Sequence, residues 1–293
     1  MTTKRTDLAL EARELYQESC EKTTHLHGVK ATKRRQEGYG ITVVEVLTPR
    51  GAALMDKPQG TYCTIDLTSF WERKSDFFPR AVRVIAHHLT QMIPETGNIL
   101  VVGLGNRAMT PDAIGPQTVS HLLVTRHLHK EGGLFASFRP VSTLAPGVLG
   151  TTGMETLEAV RGVVGQTKPS AVIVVDALAA RRTERLCNTV QIADTGLIPG
   201  SGVGNHRQGL NRESLGVPVI AVGIPTVVDS VTLCMDALDD AGANHPLWEH
   251  IPHMMVTPQD IDAQVTDLAK LLGYAITYAL QPLELEDIGA LLG

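Results

Sequence analysis

Three aspartates of this 293-residue chain stand at or just beyond short apolar runs. Asp112 follows Asn98–Val102 and a GLGN turn, Asp176 directly follows Ala171–Val175, and Asp229 follows Val217–Gly223. An acid at the rim of a low-dielectric sheet resists ionisation. Two carboxyls that converge there cannot both ionise easily, so one stays protonated as an acid while the other serves as a base. Such a pair can activate water against a peptide carbonyl. Asp112 lies in a loop bounded by Pro111 and Pro116, which suits a group that must be held in place. Helix capping competes with this chemistry, because Asp is a leading N-cap residue. Asp112 can cap a helix over 113–130, Asp176 one over 177–182 and Asp229 one over 230–238, and spacing alone leaves both readings open.

Around these acids lie candidate binding groups. Arg181 and Arg182 follow the second apolar run, and His206, Arg207 and Arg212 lie in or just after the glycine-rich stretch PGSGVGNHRQG. Guanidinium groups there can take acidic substrate side chains, although most surface charges do little. The Gly103–Asn106 turn lacks the third glycine of a dinucleotide fingerprint and the Lys-Ser/Thr ending of a P-loop, so it reads as a tight turn that places Asp112. HExxH, paired CxxC and GxSxG motifs do not occur. His87 and His88 read as surface residues of a helix. Cys20, Cys63, Cys187 and Cys234 are too dispersed for a disulfide framework and are expected to be reduced and mostly buried.

The elements that must position the acids follow from periodicity. Helical spacing predicts helices over 8–21, 80–92, 116–130, 230–238 and 261–278. Strands are expected at 41–47, 62–67, 98–102, 171–175 and 217–223, with 30–40 a loop or an exposed strand edge. Apolar strands alternating with helices imply an α/β fold: a mixed or mostly parallel sheet flanked by helices, phosphorylase/hydrolase-like, with a small N-terminal β element. The chain reads as a single domain, residues 1–97 supplying the N-terminal helix and β element and 98–293 the core with both aspartates. In such sheets ligands bind beyond the carboxyl ends of the strands, where the acids fall. A net charge of -5 and 4% aromatic content offer no general field or stacking platform for nucleic acid. The charged N-terminus carries no secretory h-region and no apolar run is long enough to cross a bilayer, so the expectation is a soluble protein of a reducing interior.

At this point long stretches resemble the germination protease family of spore-forming bacteria. They are RTDLALEARE, GAALMDKPQGTYCTIDL, VVGLGNRAMTPDAIGP, STLAPGVLGTTGMET, VVDALAAR, PGSGVGNHRQGLNRESLGVPVIAVGIPTVVD and MVTPQDID, in order and nearly end to end. The resemblance implies a spore-core endopeptidase that degrades small acid-soluble spore proteins during germination, cutting after glutamate. It also implies a homotetramer, a zymogen that trims its own N-terminus, and a fold similar to the hydrogenase maturation proteases. The family's two essential aspartates fall on TPDAIGP and VVDALA, that is on Asp112 and Asp176. Only Met1–Lys4 precede RTDLA where the family carries a propeptide, and the chain is shorter than expected between Val231 and Val256. No cofactor is expected. A divalent metal on Asp112 and Asp176, as in the maturation proteases, is the alternative, and a catalytically silent binding relative is a further one.

Overall fold

The computed structural model describes residues 4–19, 26–128, 133–201, 207–238 and 250–292. Among the described residues nine strands form one sheet: β1 (Val29–Gln36), β2 (Tyr39–Val46), β3 (Gly60–Asp66), β4 (Ile99–Gly103), β5 (Val141–Leu144), β6 (Ala171–Ala180), β7 (Thr189–Ala193), β8 (Val219–Asp229) and β9 (Met255–Val256). Their order is β1-β2-β3-β7-β8-β6-β4-β5, with β9 pairing β8 off this path. β5, β4, β6 and β8 run parallel, while β8, β7, β3, β2 and β1 are joined by antiparallel pairings. The expected mixed α/β sheet is therefore present. The expected N-terminal β element is β1–β3, and it extends the same sheet because β3 pairs with β7.

The parallel strands are apolar on both faces, as helices on both sides require. Ile99 and Val101 of β4, Ile173 and Val175 of β6, and Ile220 and Val222 of β8 enter one core, which they share with two long helices, α4 (Phe77–Thr90) and α10 (Ile261–Leu280). Their alternates Leu100, Val102, Val172 and Val174 enter a second core against α7 (Thr156–Thr167). Tyr62 and Val44 pack with Ala9 of α1 (Ala9–Ser19) in a third. The remaining helices are short: α2 (Pro49–Met55), α3 (Thr68–Trp71), α5 (Ile114–Ser120), α6 (Leu149–Thr152), α8 (Arg212–Leu215), α9 (Ser230–Ala237) and α11 (Leu285–Leu292).

Three expectations need correction. The helix expected over 116–130 starts two residues earlier and stops at Ser120. There the chain turns over α10, where Gly273 approaches so closely that a Cβ on it would sit 2.5 Å from the His121 carbonyl oxygen. No helix follows Asp176, because β6 continues through it to Ala180. His88 is not on the surface: it is 2% exposed on the core side of α4, whereas His87 is exposed. Among the described cysteines, Cys63 and Cys187 are buried, Cys234 is half-buried, and all three are free thiols. The basic segment expected as a loop or strand edge is β1, an edge strand, and cations on such an edge discourage pairing with another chain.

Candidate active site

Asp112 is delivered by a 3-10 turn, Thr110–Asp112, that follows the Gly103–Asn106 turn. Its Oδ2 accepts a 2.7 Å hydrogen bond from the Asn106 amide, so the carboxylate reaches back into its own loop instead of capping the helix ahead. Helix α5 takes Ala113 as its N-cap, with no side-chain cap bond. The capping reading of Asp112 therefore fails. Gly105 makes the close fit possible: it sits at φ +112°, and a Cβ there would lie 2.0 Å from the Asp112 carbonyl oxygen. The Leu104 amide donates to the Val175 carbonyl, tying this loop to the residue that precedes Asp176.

Asp176 lies within β6, opposite Gly223 of β8, and is 6% exposed. Its Oδ1 accepts from the Ala177 amide at 3.0 Å. Burial raises its carboxyl well above the ordinary carboxylate range, and the negative charges of Asp112 and Asp7 push it the same way. Asp112 is half-buried and is also raised by desolvation, but the Asn106 amide and the Arg207 charge favour its anion. The structure thus brings the two acids within electrostatic reach where β4 ends beside β6, with Asp176 the harder to ionise. Asp229, the third strand-end acid, does what a cap does: its Oδ2 accepts from Thr232 N at the start of α9.

Asp176 lines a cleft of about 670 Å³ together with Asp7, Lys57, Tyr62, Gln191 and Ser201, among others; Asp112 stands outside that lining. Lys4–Asp7 line the same cleft. The Asp7 carboxylate accepts from the Ala179 amide at 2.8 Å and from the Ser201 hydroxyl at 2.7 Å. Lys57 Nζ donates to the Thr6 carbonyl, and Gln191 Nε2 to the Asp7 carbonyl. Sequence reasoning did not single out Asp7, Lys57 or Gln191. Asp7 lies in RTDLA, but nothing local in that motif says that it reaches a strand more than 160 residues away.

The candidate binding groups divide. Arg207 lies close enough to act electrostatically on both aspartates. Arg181 is 4% exposed and paired with Asp236 and Glu18, and Arg182 pairs with Glu18, so both are held between the end of β6, α1 and α9. Fully buried Glu11 fixes that junction, accepting from the amides of Arg181 and Arg182 and pairing with Arg185. Arg212 is exposed at the start of α8. His206 lies outside the described residues. Among the described residues no three His, Cys, Asp or Glu side chains are grouped to share a metal ion. Asp112 and Asp176 by themselves are hard, weakly selective ligands.

Fold and site together describe a mixed α/β protein in which two carboxyls, Asp112 and Asp176, act on one another where β4 ends beside β6. The family model described as germination protease matches residues 9–241. The germination protease of Caldanaerobacter subterraneus subsp. tengcongensis is 42% identical, covering 95% of this chain and 94% of its own. That of Clostridium perfringens is 41% identical, covering 98% of each, and that of Clostridium tetani 37%, covering 98% and 99%. The chain belongs to the germination protease family and is a peptidase. Among solved structures, the [NiFe] hydrogenase maturation protease HycI of Thermococcus kodakarensis KOD1 is similar at 19% identity and a TM-score of 0.38, covering 66% of this chain and 98% of that one. No helix among the described residues is long and apolar enough to cross a membrane.

Proposed function

We propose that this peptidase is the spore-core endopeptidase that degrades small acid-soluble spore proteins during germination, with Asp112 and Asp176 as its acid–base pair. The observation that carries the reading is the unequal pair: a 6%-exposed Asp176 whose carboxyl is raised well above the usual range by burial and by the nearby Asp112 charge, beside a half-buried Asp112 that desolvation also raises but that an amide and a guanidinium draw back toward its anion. Asp112 takes a proton from water as the water oxygen bonds to the scissile carbonyl carbon. Protonated Asp176 gives its proton to the carbonyl oxygen, so the tetrahedral diol forms without a free oxyanion. The diol collapses as Asp112 passes its proton to the departing amide nitrogen, the C–N bond breaks, and Asp176 recovers a proton from the diol hydroxyl. No step needs a cofactor.

Zymogen control, homotetramer assembly and cleavage after glutamate are proposed on family membership. For the first of these there is also a local reason: Lys4–Asp7 occupy the cleft beside Asp176, so trimming them would clear it. The test is cleavage of a purified small acid-soluble spore protein. Asp112→Asn and Asp176→Asn are each expected to lose at least about a thousandfold in kcat, in the range found when a group acting in the transition state is removed. Wild-type turnover by either folded variant overturns the pair. Loss of activity on exhaustive chelation, restored by one divalent metal, overturns the cofactor-free mechanism.

A further inference from the structure

The β6–β8 ladder has an irregularity beside the acid pair. Leu178 pairs with Pro225 and the next residue, Ala179, pairs with Val227, so Thr226 is one extra residue on β8 with no partner across β6. An extra residue in a ladder breaks the alternation of side chains and re-aims the one it carries. Thr226 is fully buried, and its hydroxyl donates a 2.7 Å hydrogen bond to the Pro111 carbonyl, the peptide group that joins Pro111 to Asp112. Its own carbonyl accepts from the Thr257 hydroxyl at 2.8 Å, which anchors the bulge from the far side. The turn bearing Asp112 is otherwise tied through its own loop, by the Asp112 amide to Met109 and the Ala113 amide to Thr110. Pro111 supplies no amide donor for a further tie.

We propose that Thr226 is a positioning residue for Asp112: the bulge in β8 exists to turn its hydroxyl onto the Pro111 carbonyl and fix the Asp112 carboxylate against Asp176. The inference rests on the acid-pair reading above. Thr226 touches no substrate in this scheme. Its effect passes through one hydrogen bond to the adjoining residue, and small misplacements of a reacting group lower rate steeply.

The experiment compares Thr226→Val, which keeps shape and loses the donor, with Thr226→Ser, which keeps the donor. Turnover of a small acid-soluble spore protein is read as kcat and KM separately, with thermal unfolding as the folding check. The expected result is a kcat lowered about ten- to a hundredfold in Thr226→Val, KM within twofold of wild type, and kcat recovered to within about threefold in Thr226→Ser. A folded Thr226→Val with wild-type kcat overturns the proposal. So does a Thr226→Ser as slow as Thr226→Val, because keeping the donor would then restore nothing and any change of shape at this buried site would account for the loss. If Thr226→Val does not fold, Thr226→Ser and Thr226→Ala, which differ only in the hydroxyl, decide the same question: equal kcat values overturn the proposal. Asp112→Asn assayed alongside separates the two readings. An inactive Asp112→Asn with an unaffected Thr226→Val sinks only the positioning role, whereas an active Asp112→Asn sinks the acid pair.

Discussion

His88 makes the stability of this protein depend on pH in a direction that can be computed. It is 2% exposed on the core side of α4, and its Nε2 is buried with no hydrogen-bond partner among the described residues. Burial, aided by the positive charges of Arg34 and His87, pushes its imidazole down from 6.5 to about 4. The unfolded chain therefore binds a proton at higher pH than the folded chain does. Stability is complete above pH 6.5 and is lost as pH falls from there through about 4. Converted at about 1.4 kcal/mol for each pH unit, the full loss is roughly 3 kcal/mol. Between pH 7.5 and pH 5 it is about 2 kcal/mol. His88→Leu removes the titration and the unpartnered nitrogen at similar volume. Urea unfolding of both proteins at pH 7.5 and pH 5 is the assay. The wild type is expected to lose about 2 kcal/mol more than the variant across that interval. Parallel losses would refute the reasoning, because His88 would then have to be solvated or paired in the folded state.

The same linkage gives the opposite sign at the acid pair. Asp176 is raised by burial, so its folded form holds a proton that the unfolded chain releases, and stability falls as pH climbs from the ordinary carboxylate value through the folded one. Asp176→Asn keeps the Oδ1 acceptor for Ala177 and is expected to melt above the wild type, with a gap that widens from pH 5 to pH 8, each pH unit of displacement contributing about 1.4 kcal/mol. A lower melting temperature at pH 8 would show that the carboxylate is solvated or paired. Gly105→Ala puts a Cβ against the Asp112 carbonyl at a φ that alanine resists. It is expected to lose more than tenfold in kcat and more than about 1 kcal/mol of stability. An unchanged kcat would mean that the loop moves without carrying Asp112 along.

Much of the fold was legible because buried parallel strands announce themselves. Runs such as AVIVV and VIAVGI are too apolar for an exposed surface and too short for a span, and the helices between them carry a clear period. What misled the reading was local ambiguity. Asp176 after five apolar residues looks the same whether the strand ends or continues, and the strand continues because Ala177–Ala180 find Ile224–Val228 opposite. His88 carries a polar type on an apolar helix face, and composition cannot show which way that face turns.

By itself the sequence determined the chemistry on offer: which carboxyls exist, that they follow apolar strands, and which family the motifs match. Only the tertiary structure decided what those groups meet. The Asp112 charge reaches Asp176 because β4 and β6 lie side by side. Asp7 enters the cleft because the N-terminal segment crosses the carboxyl end of β6, Gln191 because β7 pairs with β8 opposite Gly223, and Thr226 reaches Pro111 because one ladder gains a residue. Each of these depends on pairing between segments dozens to hundreds of residues apart. A one-residue change of register would reverse which face a side chain takes, and no local pattern records that choice.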